Sequence, residues 1–121
     1  MKIPLNKNQN MTDKIVVLST ASSTQEAEKI ARNLVDERLA ACVNVVPAIR
    51  SFYRWKGGIE DAAECLLVIK SARRLFPELK TAIEAAHSYQ VPEVLALAVV
   101  DGAANYLNWL GSNLGKDGSE A

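Results

Sequence analysis

The sequence predicts an α+β fold: an antiparallel sheet built in the order β-α-β-β-α-β, with one further helix at the C-terminal end. Three observations carry this. Four short runs rich in β-branched and other apolar residues read as strands. Two stretches between them repeat apolar residues at three and four, the spacing of a helical face. Adjacent glycines, Gly57 and Gly58, separate the two middle runs and read as a hairpin turn.

The first run is Lys14-Ile-Val-Val-Leu-Ser-Thr-Ala21, read as a strand buried on both faces. Ser23 and Glu26 then have the spacing of a capping box. Ala27, Ile30, Ala31, Leu34 and Val35 form one face of a helix ending near Leu39. Val43 to Trp55 is the second extended run, with Val43, Val45, Ile49, Tyr53 and Trp55 expected on one face. The third runs from Glu60 to Ser71. Pro77 is tolerated near a helix start, where its missing N–H is not needed. Leu79, Ile83 and Ala86 mark that helix, which closes near His87. Pro92 favours extended backbone at Val91, and Val94 to Val100 reads as the fourth strand. Asp101 is the expected cap of a last helix carrying Tyr106, Leu107, Trp109 and Leu110. This order is the ferredoxin-like arrangement. Residues 1–13 read as a flexible leader, 14–114 as a single domain and 115–121 as a flexible tail.

Composition narrows the partners. Lys plus Arg and Asp plus Glu are both 14, so the 121-residue chain has no net formal charge. A nucleic-acid binder needs a basic excess to neutralise phosphates, and a balanced chain has little attraction to an anionic bilayer surface. Nucleic acid and membrane are therefore not expected partners. Asn6, Asn8, Gln9 and Asn10 interrupt any apolar run near residue 1, which leads to a cytoplasmic expectation.

The middle strands, at about 13 residues and about 43 Å each, outreach a first helix of about 25 Å. The overhanging tip carries Phe52, Tyr53, Trp55 and Ile59. Such a ribbon is an apolar liability in water, and packing against other copies of the chain relieves it. The opposing possibility is a bulge at Pro47 that bends the hairpin back over its own domain. With Gly57 and Gly58 at the turn, Cys65 is expected opposite Arg50. That places it too far from Cys42 for a disulfide.

His87 is the only histidine and lies where a helix ends and a strand begins. Imidazole suits copper or zinc, but one histidine cannot complete a tetrahedral zinc site, and a helix-end histidine often only satisfies carbonyls. Cys42 and Cys65 offer soft ligands or serve as small core residues. Tyr53, Trp55, Lys70, Tyr89, Glu93 and Trp109 are candidates for a pocket suited to a small anionic or planar ligand, or for interface packing. No Ser elbow, Walker loop or dinucleotide fingerprint is present, so neither an enzyme nor an organic cofactor is expected.

Several separated motifs resemble the CutA divalent-cation-tolerance family. They are Leu39-Ala-Ala-Cys-Val-Asn-Val-Val-Pro47, Ile49-x-Ser-x-Tyr-x-Trp55 with Gly57, and Glu64 with Ile69-Lys70-Ser71. His87-Ser-Tyr-Gln-Val-Pro-Glu93 and Tyr106-Leu-x-Trp109 follow. The similarity covers residues 14–114. It implies a ferredoxin-like homotrimer, cytoplasmic and non-enzymatic, that binds copper(II) or another divalent cation with a role in metal tolerance. It also implies His87 and Cys42 as metal ligands. Ser19 stands where some bacterial relatives have a cysteine, and Ala86 where they have a second histidine. The alternative is a trimeric sensor that binds a small metabolite between subunits, as the similarly folded PII proteins do. Acylphosphatase-like catalysis wants an arginine in an anion-cradling loop, and the Thr20 to Thr24 loop has none.

Overall fold

The computed structural model describes residues 12–115. The elements are β1 (Lys14–Ala21), α1 (Thr24–Asp36), β2 (Cys42–Trp55), β3 (Gly58–Ala72), α2 (Phe76–Ala86), β4 (Leu95–Ala98) and α3 (Ala104–Ser112), with a 3-10 turn at Arg73–Leu75 leading into α2. The strands form one antiparallel sheet in the order β2-β3-β1-β4. The expected order of elements and the ferredoxin-like sheet are both present. The expected leader and tail lie outside the described residues except at their inner ends. There Thr12 N–H bonds Val99 O, and Gly115 N–H bonds Arg38 O.

One face of the sheet and the helices enclose the core. Ile15 and Val17 of β1 and Leu67 and Ile69 of β3 point to this side. They meet Ala27, Ile30 and Leu34 of α1 and Leu79 and Ile83 of α2, with Leu114 closing one end. Full burial of each large side chain is worth about 1.5–3 kcal/mol. The opposite face of β1, with Val16 and Leu18, is only half-buried, so the expectation of burial on both faces held for one. β4 is an edge strand, with Leu95 and Leu97 exposed on that second face.

The helix ends follow local chemistry. Ser23 caps α1, its hydroxyl accepting the Glu26 N–H at 3.1 Å. The helix stops at Asp36, short of Leu39, because Arg38 takes a positive φ of 61° and turns the chain. Asp101 does not cap α3 as expected. Its carboxylate accepts the adjacent Gly102 N–H, and Ala103 occupies the cap position without a side-chain bond.

The hairpin departs from expectation in two ways. Its turn is Lys56 and Gly57, both with positive φ, so Gly58 already opens β3. A bulge then places Pro47 and Ala48 together opposite Cys65, between the pairs Val46–Leu66 and Ile49–Glu64. Cys65 therefore does not face Arg50. The extra residue also inverts the alternation. Val43 and Val45 face the helices, whereas Ile49, Tyr53 and Trp55 lie on the opposite face, so the five do not share one side. Both cysteines are free, as their separation required.

The bulge does not bury the tip. β1 pairs with β3 only as far as Cys65, so residues 49–55 and 58–64 leave the sheet as a two-stranded ribbon. Phe52 is 65% exposed and Ile59 71%.

Ala48 holds the bulge at a φ of 63°, in the left-handed region. That region costs an L-residue about 1–2 kcal/mol, and glycine escapes it for about 0.5–1 kcal/mol of chain entropy. Ala48→Gly is expected to gain about 0.5–1 kcal/mol and Ala48→Val to lose about 1–2 kcal/mol. Urea midpoints at unchanged slope check this; a lower midpoint for the glycine variant contradicts it.

Candidate functional site

Two clusters of candidate residues emerge, and they lie apart. The first begins at the N-terminus of α1. Glu26 Oε1 accepts the Ser22 N–H at 2.9 Å and its hydroxyl at 2.8 Å, and Oε2 accepts the Ser88 N–H at 2.7 Å. The expected capping box is thus extended. Its carboxylate serves Ser22 rather than the cap residue, and it ties α1 to the segment after α2. Burial alone would raise the Glu26 pKa, but the bonds from Ser22 and Ser88 outweigh it and hold the group at about 2.

His87 follows directly. Its side chain is fully buried, and Nε2 lies 2.6 Å from Thr20 O. A carbonyl only accepts, so Nε2 carries the proton. Nδ1 then accepts the Tyr89 N–H at 3.1 Å, with Glu26 Oε2 at 3.7 Å. Both ring nitrogens are therefore in use, and a metal ion would reach one only by displacing a protein bond. The ring also packs on Tyr89, with centroids 4.6 Å apart.

Tyr89 carries the network to the sheet. Its hydroxyl donates to Glu64 Oε2. Burial and the Glu64 carboxylate push the Tyr89 phenol well up, so it remains a donor. Glu64 and Tyr89 border an open groove of about 740 Å³ between the hairpin overhang and the connection from α2 to β4. Tyr53, Trp55 and Glu93 also line it, so four of the six pocket candidates converge there. Glu26 and Glu64 were not singled out as site residues. The signal for Glu64 was a carboxylate beside the apolar run Cys65 to Ile69.

The other two pocket candidates sit elsewhere. Lys70 pairs with Cys42 across the β2–β3 ladder, its Nζ bonding Asn44 Oδ1 and lying 3.8 Å from Cys42 Sγ. Tyr106 reaches the same spot, its phenol raised by burial and by the adjacent Cys42. Trp109 stacks on Tyr106 with centroids 5.7 Å apart. Cys42 is level with Val16 of β1, whereas His87 sits on Thr20, about 13 Å along the strand. The two expected ligands are not brought together. Among the described residues no group of three or more His, Cys, Asp or Glu converges as a metal site.

The model of the family described as CutA1 divalent ion tolerance protein matches residues 15–113. A divalent-cation tolerance protein CutA of Thermus thermophilus is 48% identical over 100 residues, which cover 83% of this chain and 97% of the relative. The solved structure of CutA from Xylella fastidiosa superposes with a TM-score of 0.84 at 38% identity, covering 86% of this chain and all of that one. Similarity extends to a chloroplastic CutA of Arabidopsis thaliana, 40% identical, of which the chain covers 59%. It also extends to an Archaeoglobus fulgidus CutA structure described as periplasmic, 37% identical with a TM-score of 0.81 over 83% of this chain and 97% of that one. The last two correct the cytoplasmic placement expected from residues 1–14. The packed domain is common to several compartments, because the address is read from separate segments and not from the fold.

Glu26 offers a direct test of the network. A carboxyl held at about 2, below its usual 4.5, contributes stability that is complete above about pH 4.5 and is lost as the pH falls through about 2. Glu26→Gln is expected to cost about 1.5–3 kcal/mol at neutral pH and to flatten the loss of melting temperature between those pH values. An unchanged acid profile in the variant would remove Glu26 from this role.

Proposed function

The chain belongs to the CutA1 divalent ion tolerance protein family, and from that premise we propose that it is a non-enzymatic, homotrimeric protein that binds copper or a related divalent ion. The match over residues 15–113 carries this reading. His87 and Cys42 are the donors we assign. Their separation means that each supplies one strong ligand, so a complete coordination sphere draws on Glu26 beside His87, on water or on a second copy.

Assembly is supported by what one chain leaves uncovered. The ribbon beyond Cys65 exposes Phe52, Tyr53, Trp55 and Ile59, and the edge strand exposes Leu95 and Leu97. A chain of this size gains by burying such a surface against copies of itself.

The groove favours a second reading, a small molecule as the physiological ligand. Its volume suits a metabolite, and aromatic rings beside a few polar groups are the usual lining of such sites.

Copper(II) calorimetry on the metal-free protein, beside His87→Gln and Cys42→Ser, separates these readings. Stoichiometric binding weakened about tenfold or more by either change supports the assigned donors. Affinity unchanged in both variants removes them and leaves the groove as the functional site. Light scattering is expected to give three times the 13.2 kDa chain mass, shifting toward the single-chain mass in Ile59→Lys. A wild-type mass of one chain would end the trimer proposal.

A further inference from the structure

Cys42 and Lys70 face each other across the β2–β3 ladder, on the side of the sheet away from α1 and α2. Lys70 Nζ lies 3.8 Å from Cys42 Sγ, and its bond to Asn44 Oδ1 keeps it on that face. The thiol and the amine are thus neighbours before any reaction. The other cysteine is differently placed. Cys42 is half-buried, whereas Cys65 is 4% exposed within the core. Cys65 also lies about 17 Å along β3 from Lys70, the residue paired with Cys42. A disulfide needs Cα atoms within about 7 Å, so Cys65 cannot resolve an oxidised Cys42 in the same chain.

A peroxide converts a cysteine thiol to a sulfenic acid, whose sulfur then condenses with a neighbouring thiol or nitrogen. At Cys42 the nitrogen is the Lys70 amine. We propose that Cys42 and Lys70 form a peroxide-responsive site, in which Lys70 Nζ captures the Cys42 sulfenic acid as a sulfenamide. Hydrogen peroxide is the oxidant: its O–O bond breaks, one oxygen goes to sulfur, and the other leaves as water. The S–N bond then forms as the S–O bond breaks. The sulfenic hydroxyl leaves as a second water with one proton from nitrogen, and the ammonium gives its other surplus proton to solvent. The flexible four-carbon stem of lysine lets Nζ close the remaining distance. The Tyr106 phenol adjoins the same sulfur but stays neutral and is a poor nucleophile, so it does not compete. The cross-link and a metal ion need the same sulfur, so oxidation withdraws Cys42 from the donors assigned above.

Cys65→Ala leaves one thiol of the chain's two, so no internal disulfide can form. That variant, kept metal-free with a chelator, is treated with hydrogen peroxide. Its intact mass is expected to fall by about 2 Da, for two hydrogens lost, and to return on reduction with dithiothreitol. Before reduction, trypsin is expected to spare Lys70 and to yield peptide 39–50 joined to peptide 57–73. Lys70→Arg keeps the cation but not the amine. It is expected to lose the cross-link and to gain about 16 Da as a sulfenic acid that dimedone traps. The same gain with Lys70 in place overturns the capture. A doubled mass overturns it in favour of a disulfide between copies, and an unchanged mass removes the site. If Cys65→Ala does not fold, the wild type gives the same answer. A Cys42–Cys65 disulfide leaves Lys70 cleavable and joins 39–50 to 57–70, which also overturns the proposal.

Discussion

The hairpin is longer than the sheet that holds it. β2 and β3 run to 14 and 15 residues, while β1 has 8. Beyond Cys65 no third strand among the described residues pairs with the ribbon, and the bond from the Tyr89 hydroxyl to Glu64 ties it to the domain. This mismatch creates the overhang, and the overhang supplies one wall of the groove through Tyr53, Trp55, Glu60 and Glu64. The other wall, from Tyr89 to Glu93, belongs to the domain. The groove therefore exists because one pair of strands outruns its neighbours.

The bulge decides what that wall presents. Without it, Tyr53 and Trp55 would share a face with Val43 and Val45 and point toward the helices. One extra residue at Pro47–Ala48 turns them to the other side, the side of Glu64. Proline suits this place because it has no N–H to waste, and Ala48 accepts a positive φ to complete the kink. A strained backbone position thus sets the chemistry of a surface several residues away.

The opposite wall is fixed by a chain of hydrogen bonds, with the His87 ring packed on Tyr89. Glu26 holds Ser88, His87 is pinned between Thr20 O and the Tyr89 N–H, and Tyr89 closes on Glu64. Each link constrains the next, so a helix N-terminus is tied to a groove on the other face of the sheet. His87 serves this network with both nitrogens. That explains why the only histidine of the chain is fully buried, and why metal ligation by it competes with local structure.

The sequence alone determined the order of elements, the core-facing helix residues Ile30, Leu34, Leu79 and Ile83, the Ser23 cap and the overhang of the hairpin. These follow from local periodicity, capping chemistry and strand length, all written in consecutive residues. The convergence of Tyr53, Trp55, Tyr89 and Glu93 was legible as a list but not as a place. Lys70 and Trp109 stood on the same list and belong elsewhere. The turn at Lys56–Gly57, the inverted faces beyond Ala48 and the paired nitrogens of His87 were decided by tertiary structure. They depend on strand register, on a single reversed φ and on contacts across 67 residues of chain, from Thr20 to His87, none of which leaves a periodic trace in the sequence.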